Sequence, residues 1–208
     1  MSADPPSAIE LNELEIDSLS EVINIGMSHA ATALGGMINE RVSLDVPEVR
    51  FLSCVDVVDQ LNNLSGGSVS AVCQRFDGSI GGDALLLFPQ DKSLDLVRLL
   101  LSSEMSLEML TQLEQEALTE VGNIILNACF GKIANALNIT MESTLPSYLM
   151  GSCEEIIGNL AEDTRVLFMR VNFCVPNHDI NGFVTFVMDI ESTEILHGLI
   201  SHLAERYQ

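Results

Sequence analysis

The chain has 208 residues, and 47% of them are hydrophobic, which is enough to form a buried core. Thirty acidic residues against nine basic ones give a formal net charge of −21 at pH 7. Phosphate backbones and anionic headgroups repel such a chain, so the charge argues against nucleic acid or a membrane surface as a partner. The acidity itself fits a partner with a basic face, a high-salt host, or a surface that is simply soluble.

The N-terminal segment, MSADPPSAIE, is acidic and contains two prolines, so it lacks the basic and apolar parts of a secretory signal. We expect residues 1–9 to form a flexible tail. Residues 22–39 carry no formal charge, but their polar side chains and three glycines predict a buried amphipathic helix rather than membrane insertion. The five cysteines are odd in number and widely spaced, as in a cytoplasmic protein with reduced thiols.

An internal repeat organises the sequence. The segment NELEIDSLSEVINIG, which starts at Asn12, aligns with TQLEQEALTEVGNII, which starts 99 residues later at Thr111. The same offset continues without a gap and pairs Pro47 with Pro146. This regularity predicts a duplication, with repeat 1 at about 10–108 and repeat 2 at about 109–208, inside one domain that spans residues 10–208.

Each repeat is predicted to begin with a long helix. Asn12-x-x-Glu15 and Thr111-x-x-Glu114 have the pattern of capping boxes, in which a side chain accepts an otherwise unpaired amide and the Glu reaches back. A helix of about 25 residues follows each box, because apolar residues recur at helical spacing. We expect the first helix to end near Met37 and the second near Leu137.

Short β-rich runs and a second helix follow in each repeat. We predict strands at VRFLSCV, SVSAVCQRF and GGDALLLFP in the first repeat, and at VLFMRVNFCV and GFVTFVMDI in the second. Closing amphipathic helices are predicted at about residues 93–102 and 192–206. The expected fold is α+β with a pseudo-twofold internal duplication, in which two long helices and two further helices pack on one merged antiparallel β-sheet.

A polar stripe lies along each long helix. Asp17, Glu21 and Asn24 fall at about 0°, 40° and −20° on a helical projection, so they share one face, which is directed away from the apolar residues. Glu116, Glu120 and Asn123 repeat this arrangement 99 residues later. A solvated helix face would explain either stripe taken singly. Recurrence strengthens the case for a site, although duplication also copies harmless residues.

The pattern D-x3-E-x2-N followed by x22-P resembles the signature of the CheC/CheX/FliY chemotaxis phosphatase family, and the two-site, single-domain form resembles CheC most closely. The signature is matched by Asp17, Glu21, Asn24 and Pro47, and again by Glu116, Glu120, Asn123 and Pro146. The run DSLSEVINIGMSHAATAL is also similar to the family's first helix. One departure is Glu116, where the family has Asp or Ser, and we expect it to affect affinity or rate at the second site.

The resemblance implies that the two long helices are active-site helices for hydrolysis of the aspartyl phosphate of a CheY-like response regulator. The catalytic residues would be Glu21, Asn24, Glu120 and Asn123. A carboxamide suits the task because it can orient a water molecule without placing a negative charge beside the phosphate. The Glu carboxylates would pair with a lysine of the regulator, and Asp17 and Glu116 would contact the partner peripherally. Pro47 and Pro146 would be structural parts of the motif.

The resemblance implies no intrinsic cofactor or metal, since the regulator supplies the Mg²⁺. The rival interpretation is a non-catalytic binding module that sequesters the phosphorylated regulator or regulates the receptor deamidase CheD. A flagellar-switch role of the FliY type would need an added domain, for which we expect no room in 208 residues. A chain with internal twofold symmetry already supplies what a homodimer would, so we expect a monomer.

Overall fold

The computed structural model describes residues 10–39, 41–65, 67–101, 107–157, 164–175 and 178–206. The predicted tail at residues 1–9 lies outside these ranges. Six helices and seven strands are present in the described residues. The helices are α1 (Glu13–Ile38), α2 (Cys54–Ser65), α3 (Gln90–Leu101), α4 (Leu107–Leu137), α5 (Cys153–Ile157) and α6 (Ile190–Glu205). The strands are β1 (Ser43–Ser53), β2 (Ser68–Gly78), β3 (Gly82–Pro89), β4 (Met141–Ser143), β5 (Ser147–Ser152), β6 (Arg165–Val175) and β7 (His178–Met188).

All seven strands belong to one sheet, in which every pairing is antiparallel. The order is β1-β6-β7-β3-β2, and both β4 and β5 pair with the far side of β2. Strands β3 and β7 meet at the centre. On one side β6 and then β1 continue the sheet, and on the other side β2 and then β4 and β5 do so. The predicted α+β fold with a merged antiparallel sheet is confirmed.

The central strands are buried on both faces. In β3, Ala84, Leu86 and Phe88 face the core under α1, α3, α4 and α6, while Leu85 and Leu87 face a second core under α2 and α5. Because successive side chains of a strand point to opposite faces, a continuous apolar run serves both cores. The molecule therefore has three layers, with four helices, the sheet and then two short helices.

The two short helices were not predicted. The expected strand VRFLSCV ends at Ser53, and its last two residues, Cys54 and Val55, begin α2 instead. The cause is a change of apolar spacing, since the buried residues Val57 and Leu61 are four apart. Strands β4 and β5 were also missed in the second repeat.

The first predicted capping box is confirmed and the second is wrong. At the start of α1, Asn12 Oδ1 accepts the Glu15 N–H at 3.0 Å, and Glu15 Oε2 accepts the Asn12 N–H at 2.8 Å. Helix α4 instead begins at Leu107, so Thr111 lies inside the helix and cannot cap it. Glu114 is turned inward and is 2% exposed.

Helices α1 and α4 pack side by side and carry the two polar stripes. A Cβ at Gly26 of α1 would lie 2.9 Å from the carbonyl oxygen of Ala128 in α4, so only glycine permits this approach. Both helices are followed by an asparagine in the left-handed conformation, Asn39 and Asn138, each with φ of 54°. Within the described ranges, no helix combines the length and apolar character needed to cross a bilayer.

Candidate functional site

The first stripe lies on the solvent side of α1. Asp17 and Glu21 are exposed and Asn24 is half-buried, whereas the neighbouring Leu19 and Ile23 are buried in the core. A shallow surface cavity of about 290 Å³ opens beside the two carboxylates and is lined by Leu14, Asp17, Ser18 and Glu21. The helix therefore presents two acids to solvent and keeps the amide partly enclosed.

A backbone group holds the carboxamide of Asn24. The N–H of Val46 donates to Asn24 Oδ1 at 3.0 Å. Val46 lies in β1 directly before Pro47, where the pairing of β1 with β6 shifts register between Asp45 and Glu48. A register shift releases a strand amide from the ladder, and here that amide reaches the helix. The spacing between Asn24 and Pro47 in the motif thus corresponds to a direct contact between α1 and β1.

This contact fixes the orientation of the amide. Because an N–H can only donate, Asn24 must turn its oxygen toward Val46, and its Nδ2 group points elsewhere. Among the described residues, no acceptor is recorded for Asn24 Nδ2. The NH₂ group is therefore available to a ligand at the outer surface of α1.

The second stripe has the same exposure but a different anchor. Glu116 and Glu120 are exposed, and Asn123 is half-buried in α4. Here Asn123 Oδ1 accepts a hydrogen bond from Asn127 Nδ2 at 2.7 Å. The counterpart of Val46 is Leu145, which is 90% exposed. Pro146 is half-buried in the segment between β4 and β5. At the second site the Asn127 side chain thus takes the place that the Val46 N–H has at the first.

The structure thus groups the predicted residues by helix, with Asp17, Glu21 and Asn24 on α1 and Glu116, Glu120 and Asn123 on α4. Each group offers exposed carboxylates beside one oriented, neutral amide. Such a group can bind an ammonium or guanidinium through the acids and can hold water or a phosphoryl oxygen through the amide. Among the residues that the structure describes, no three His, Cys, Asp or Glu side chains are arranged to hold a metal ion.

Sequence reasoning missed three residues around these sites. Val46 could not be found, because its contribution is a backbone amide. Asn127 could have been found, since it lies one helical turn after Asn123 and such pairs meet on a helix surface. Gln74 is a buried polar residue of β2, and its amide contacts Asn127 at 3.4 Å. A polar residue inside a strand pattern is the signal that could have indicated it.

No protein-family model matches the chain. A search of curated proteins finds similarity to "CheY-P phosphatase CheC" of Bacillus subtilis, with 26% identity over 142 residues. The match spans 65% of this chain and 66% of that relative, just under two thirds of its length.

Solved structures share the fold over most of the chain. FliY of Thermotoga maritima superposes with a TM-score of 0.73 at 17% identity and covers 93% of this chain and 98% of its own. CheX of Borrelia burgdorferi, solved in a CheX-CheY-BeF3-Mg²⁺ complex, has a TM-score of 0.52 at 17% identity and covers 79% of this chain and 97% of its own. FliM of H. pylori, solved in a FliG-FliM complex, has a TM-score of 0.65 at 11% identity and covers 90% of this chain and all of its own. The similarity to CheC and the fold shared with FliY and CheX confirm the resemblance to the CheC/CheX/FliY family that the two helix motifs predicted.

Proposed function

We propose that this chain is a phosphatase that hydrolyses the aspartyl phosphate of a CheY-like response regulator. The curated relative is named as a CheY-P phosphatase, and the CheX neighbour was solved in a complex with CheY. The observation that carries the proposal is that Asn24 and Asn123 are each held in one orientation by a hydrogen bond to the side-chain oxygen. In both helices the carboxamide oxygen accepts a hydrogen bond, so the NH₂ group of Asn24 or Asn123 is directed away from that donor, on a stripe with two exposed carboxylates.

The reaction needs little covalent help from the protein. The oxygen of a water molecule forms a bond to phosphorus, and the bond between phosphorus and the aspartyl oxygen breaks, leaving its electron pair on the regulator's carboxylate. Rate enhancement comes from holding the water in line and stabilising the phosphoryl oxygens. An oriented NH₂ group can donate to the water oxygen or to a phosphoryl oxygen. Being neutral, it adds no repulsion to the anionic centre.

The carboxylates act on the partner rather than on phosphorus. Glu21 and Glu120 pair with a cationic side chain of the regulator and fix its register, while Asp17 and Glu116 make peripheral contacts. Exposed ion pairs contribute about 0–1 kcal/mol each, so their main effects are on encounter rate and orientation. The Mg²⁺ belongs to the regulator in this proposal. Cytoplasmic location and a monomeric state are further parts of it, and the odd number and wide spacing of the five cysteines fit a reducing compartment.

Single-turnover dephosphorylation of a phosphorylated CheY-like protein tests the assignment. Wild type is compared with Asn24→Ala, Asn123→Ala and the double variant. We expect each single variant to keep one working site, and the double variant to lose about 10²-fold or more of the rate enhancement. The Asn123→Ala variant should retain the faster site, because the second site carries the longer Glu116. A double variant that hydrolyses as fast as wild type would show that the catalytic assignment is wrong.

An isosteric substitution separates the role of the NH₂ group from that of the fold. In the Asn123→Ala background, Asn24→Asp keeps an oxygen for the Val46 N–H but removes the outward donor and adds a charge. We expect normal unfolding behaviour together with loss of the remaining activity. The matched control is Asp17→Asn on the same stripe, which should leave the rate at saturating regulator within about threefold of its background.

The alternative is a binding module without turnover. It draws support from the FliM neighbour, which was solved bound to FliG. A module of this type would bind and sequester the phosphorylated regulator, or would bind CheD, without accelerating phosphate release. Tight binding of the regulator combined with an unchanged spontaneous rate of dephosphorylation would favour this alternative over the phosphatase.

A further inference from the structure

The two sites hold their asparagines by different means. At the first site the donor to the carboxamide is the backbone N–H of Val46, 3.0 Å from Asn24 Oδ1. At the second site the donor is the Asn127 side chain, whose Nδ2 lies 2.7 Å from Asn123 Oδ1. Ser28, which corresponds to Asn127, donates to the backbone oxygen of Asn24 at 3.0 Å instead. Ser28 therefore does not orient the carboxamide at the first site as Asn127 does at the second.

A buried amide lies behind Asn127. Gln74 of β2 is 2% exposed, and its Nε2 lies 2.8 Å from the Thr144 carbonyl oxygen, 3.1 Å from Ser143 Oγ and 3.4 Å from Asn127 Oδ1. Ser143 also donates to Asn127 Oδ1 at 3.3 Å. The carbonyl of Thr144 can only accept, so Gln74 must turn its NH₂ group toward it.

Because the Thr144 carbonyl fixes the orientation of Gln74, it also determines the orientations of Asn127 and then Asn123. Gln74 has two N–H hydrogens, so one is directed at Thr144 and the other is shared between Ser143 Oγ and Asn127 Oδ1. With this shared hydrogen and the Ser143 hydroxyl on its oxygen, Asn127 must direct its NH₂ group toward Asn123. Asn123 must then direct its oxygen toward Asn127 and its NH₂ group away from it. Gln74, Asn127 and Asn123 form what we call the carboxamide chain, in which each amide has one orientation that satisfies its neighbours.

We infer that Asn127 is the positioning residue of the second site, which holds Asn123 in the orientation that the reaction requires. This inference rests on the proposed function. The first site needs no such residue, because a strand amide cannot rotate away as a side chain can. Loss of the side chain at position 127 leaves the carboxamide of Asn123 free to rotate.

The experiment isolates the second site with Asn24→Ala and adds Asn127→Ala. Loss of one neutral hydrogen bond corresponds to about a tenfold effect, so the hydrolysis rate at saturating regulator should fall about tenfold. The half-saturating concentration should stay within about twofold, because the docking carboxylates are untouched. Asn127→Asp should be worse than Asn127→Ala, since a carboxylate has no N–H to donate and attracts the NH₂ group of Asn123 toward position 127. A fall in affinity with an unchanged maximal rate would overturn the inference.

The matched control is Ser28→Ala with the first site isolated by Asn123→Ala. Ser28 occupies the same position but does not touch the carboxamide, so the rate should not change. A coupling test follows in the Asn24→Ala background. Asn127→Ala should have no effect once Asn123 is also alanine, because it acts only through that residue. An equal effect with and without Asn123 would contradict a positioning role.

A structural measurement keeps this inference separate from the proposed function. If Asn123→Ala leaves the activity of the Asn24→Ala protein unchanged, the proposed function of the second site fails. The positioning role is then judged by side-chain NMR relaxation of the Asn123 NH₂ group. In the otherwise unaltered chain, Asn127→Ala should make this group more mobile and leave the Asn24 NH₂ group unchanged. An Asn123 amide that stays equally ordered would overturn the inference whatever the activity.

Discussion

Glu15 and Glu114 occupy the same position in the two long helices, yet they hold different neighbours together. Both carboxylates are buried, with 4% and 2% exposed surface. Glu15 accepts the Asn12 N–H and the Ser201 hydroxyl, and His197 Nε2 lies 3.7 Å away. Glu114 accepts hydroxyl hydrogen bonds from Ser70 at 2.7 Å and Ser93 at 2.6 Å. Because α4 begins about one turn earlier than the repeat predicts, Glu114 connects the helix to β2 and α3 instead of capping it.

The environment of Glu15 predicts a pH-dependent contribution to stability. Burial by itself raises the pKa of Glu15, but hydrogen bonds from Ser201 and from the Asn12 amide, together with nearby His197, outweigh burial and place the pKa below 4.5. A carboxyl whose pKa is lower in the folded state stabilises the fold above its unfolded pKa. That contribution is lost as the pH falls through the folded pKa. Glu15→Gln should therefore cost about 1.5 kcal/mol at pH 7 and progressively less below about pH 4.5.

Urea unfolding of wild type and Glu15→Gln between pH 7 and pH 3 measures this difference. Glu13 is exposed in the same helical turn and supplies the control. Glu13→Gln should change the unfolding free energy by about 0.5 kcal/mol or less at neutral pH. A Glu15→Gln difference that stays constant down to pH 3 would show that the ionised carboxylate does not stabilise the fold.

At the scale of single residues, helical geometry was enough to group Asp17, Glu21 and Asn24. The repeat of 3.6 residues per turn relates residues that are close in sequence, so this grouping can be predicted from the sequence alone. The contacts that orient the amides were not predictable in the same way. Val46 reaches Asn24 through a strand irregularity, and Gln74 reaches Asn127 through the packing of β2 against α4. Both depend on long-range pairing, which a single sequence does not reveal.

Among the elements, the two short helices could have been predicted from their caps. Ser53 accepts the Asp56 N–H at 3.1 Å at the start of α2. At the start of α5, Ser152 Oγ accepts the Glu155 N–H at 3.1 Å, and Glu155 Oε2 accepts the Ser152 N–H at 3.0 Å. These serines are 99 residues apart and each begins an S-x-x-acid pattern. Strands β4 and β5 offered no such signal, because their side chains are mostly exposed and show no alternation.

Helix α4 approaches the sheet at Gly122, directly before Asn123. A Cβ at this position would lie 2.4 Å from Val72 Cγ1 in β2. Alanine favours a helix over glycine by about 1 kcal/mol, but overpacking of a buried contact costs about 1–3 kcal/mol. We therefore expect Gly122→Ala to destabilise the protein by up to about 2 kcal/mol in urea unfolding.

Gly131 in the same helix is the matched control. Apart from its own helix backbone and chain neighbours, no atom of the described residues lies within 4 Å of a Cβ added there, so Gly131→Ala should stabilise the protein by up to about 1 kcal/mol. Val72→Ala should cost less in the Gly122→Ala background than alone, because the added methyl group then fills part of the vacated space. If Gly122→Ala behaves like Gly131→Ala, the contact between α4 and β2 is not close enough to require glycine.

Across the whole molecule, the halves exchange their outer strands. Strand β1 pairs with β6, and β4 and β5 pair with β2, so the first strand of each half completes the sheet of the other. The two halves also share the central pairing of β3 with β7. The proposed boundary between repeats at about residue 108 therefore does not separate two independent cores. The boundary itself, which falls at the start of α4, stays a prediction.

This interlocked sheet predicts one cooperative unfolding transition for the whole chain. A destabilising change at one end should reach the other end, because the outer strands of each half pair with a strand of the other half. Gly122→Ala acts beside β2, so native-state hydrogen exchange should show the same loss of protection free energy in β6 as in β2, measured for the slowest amides. Calorimetric and van't Hoff enthalpies should also agree. If protection falls in β2 and β5 while β6 is unchanged, the halves unfold separately and the exchanged strands do not couple them.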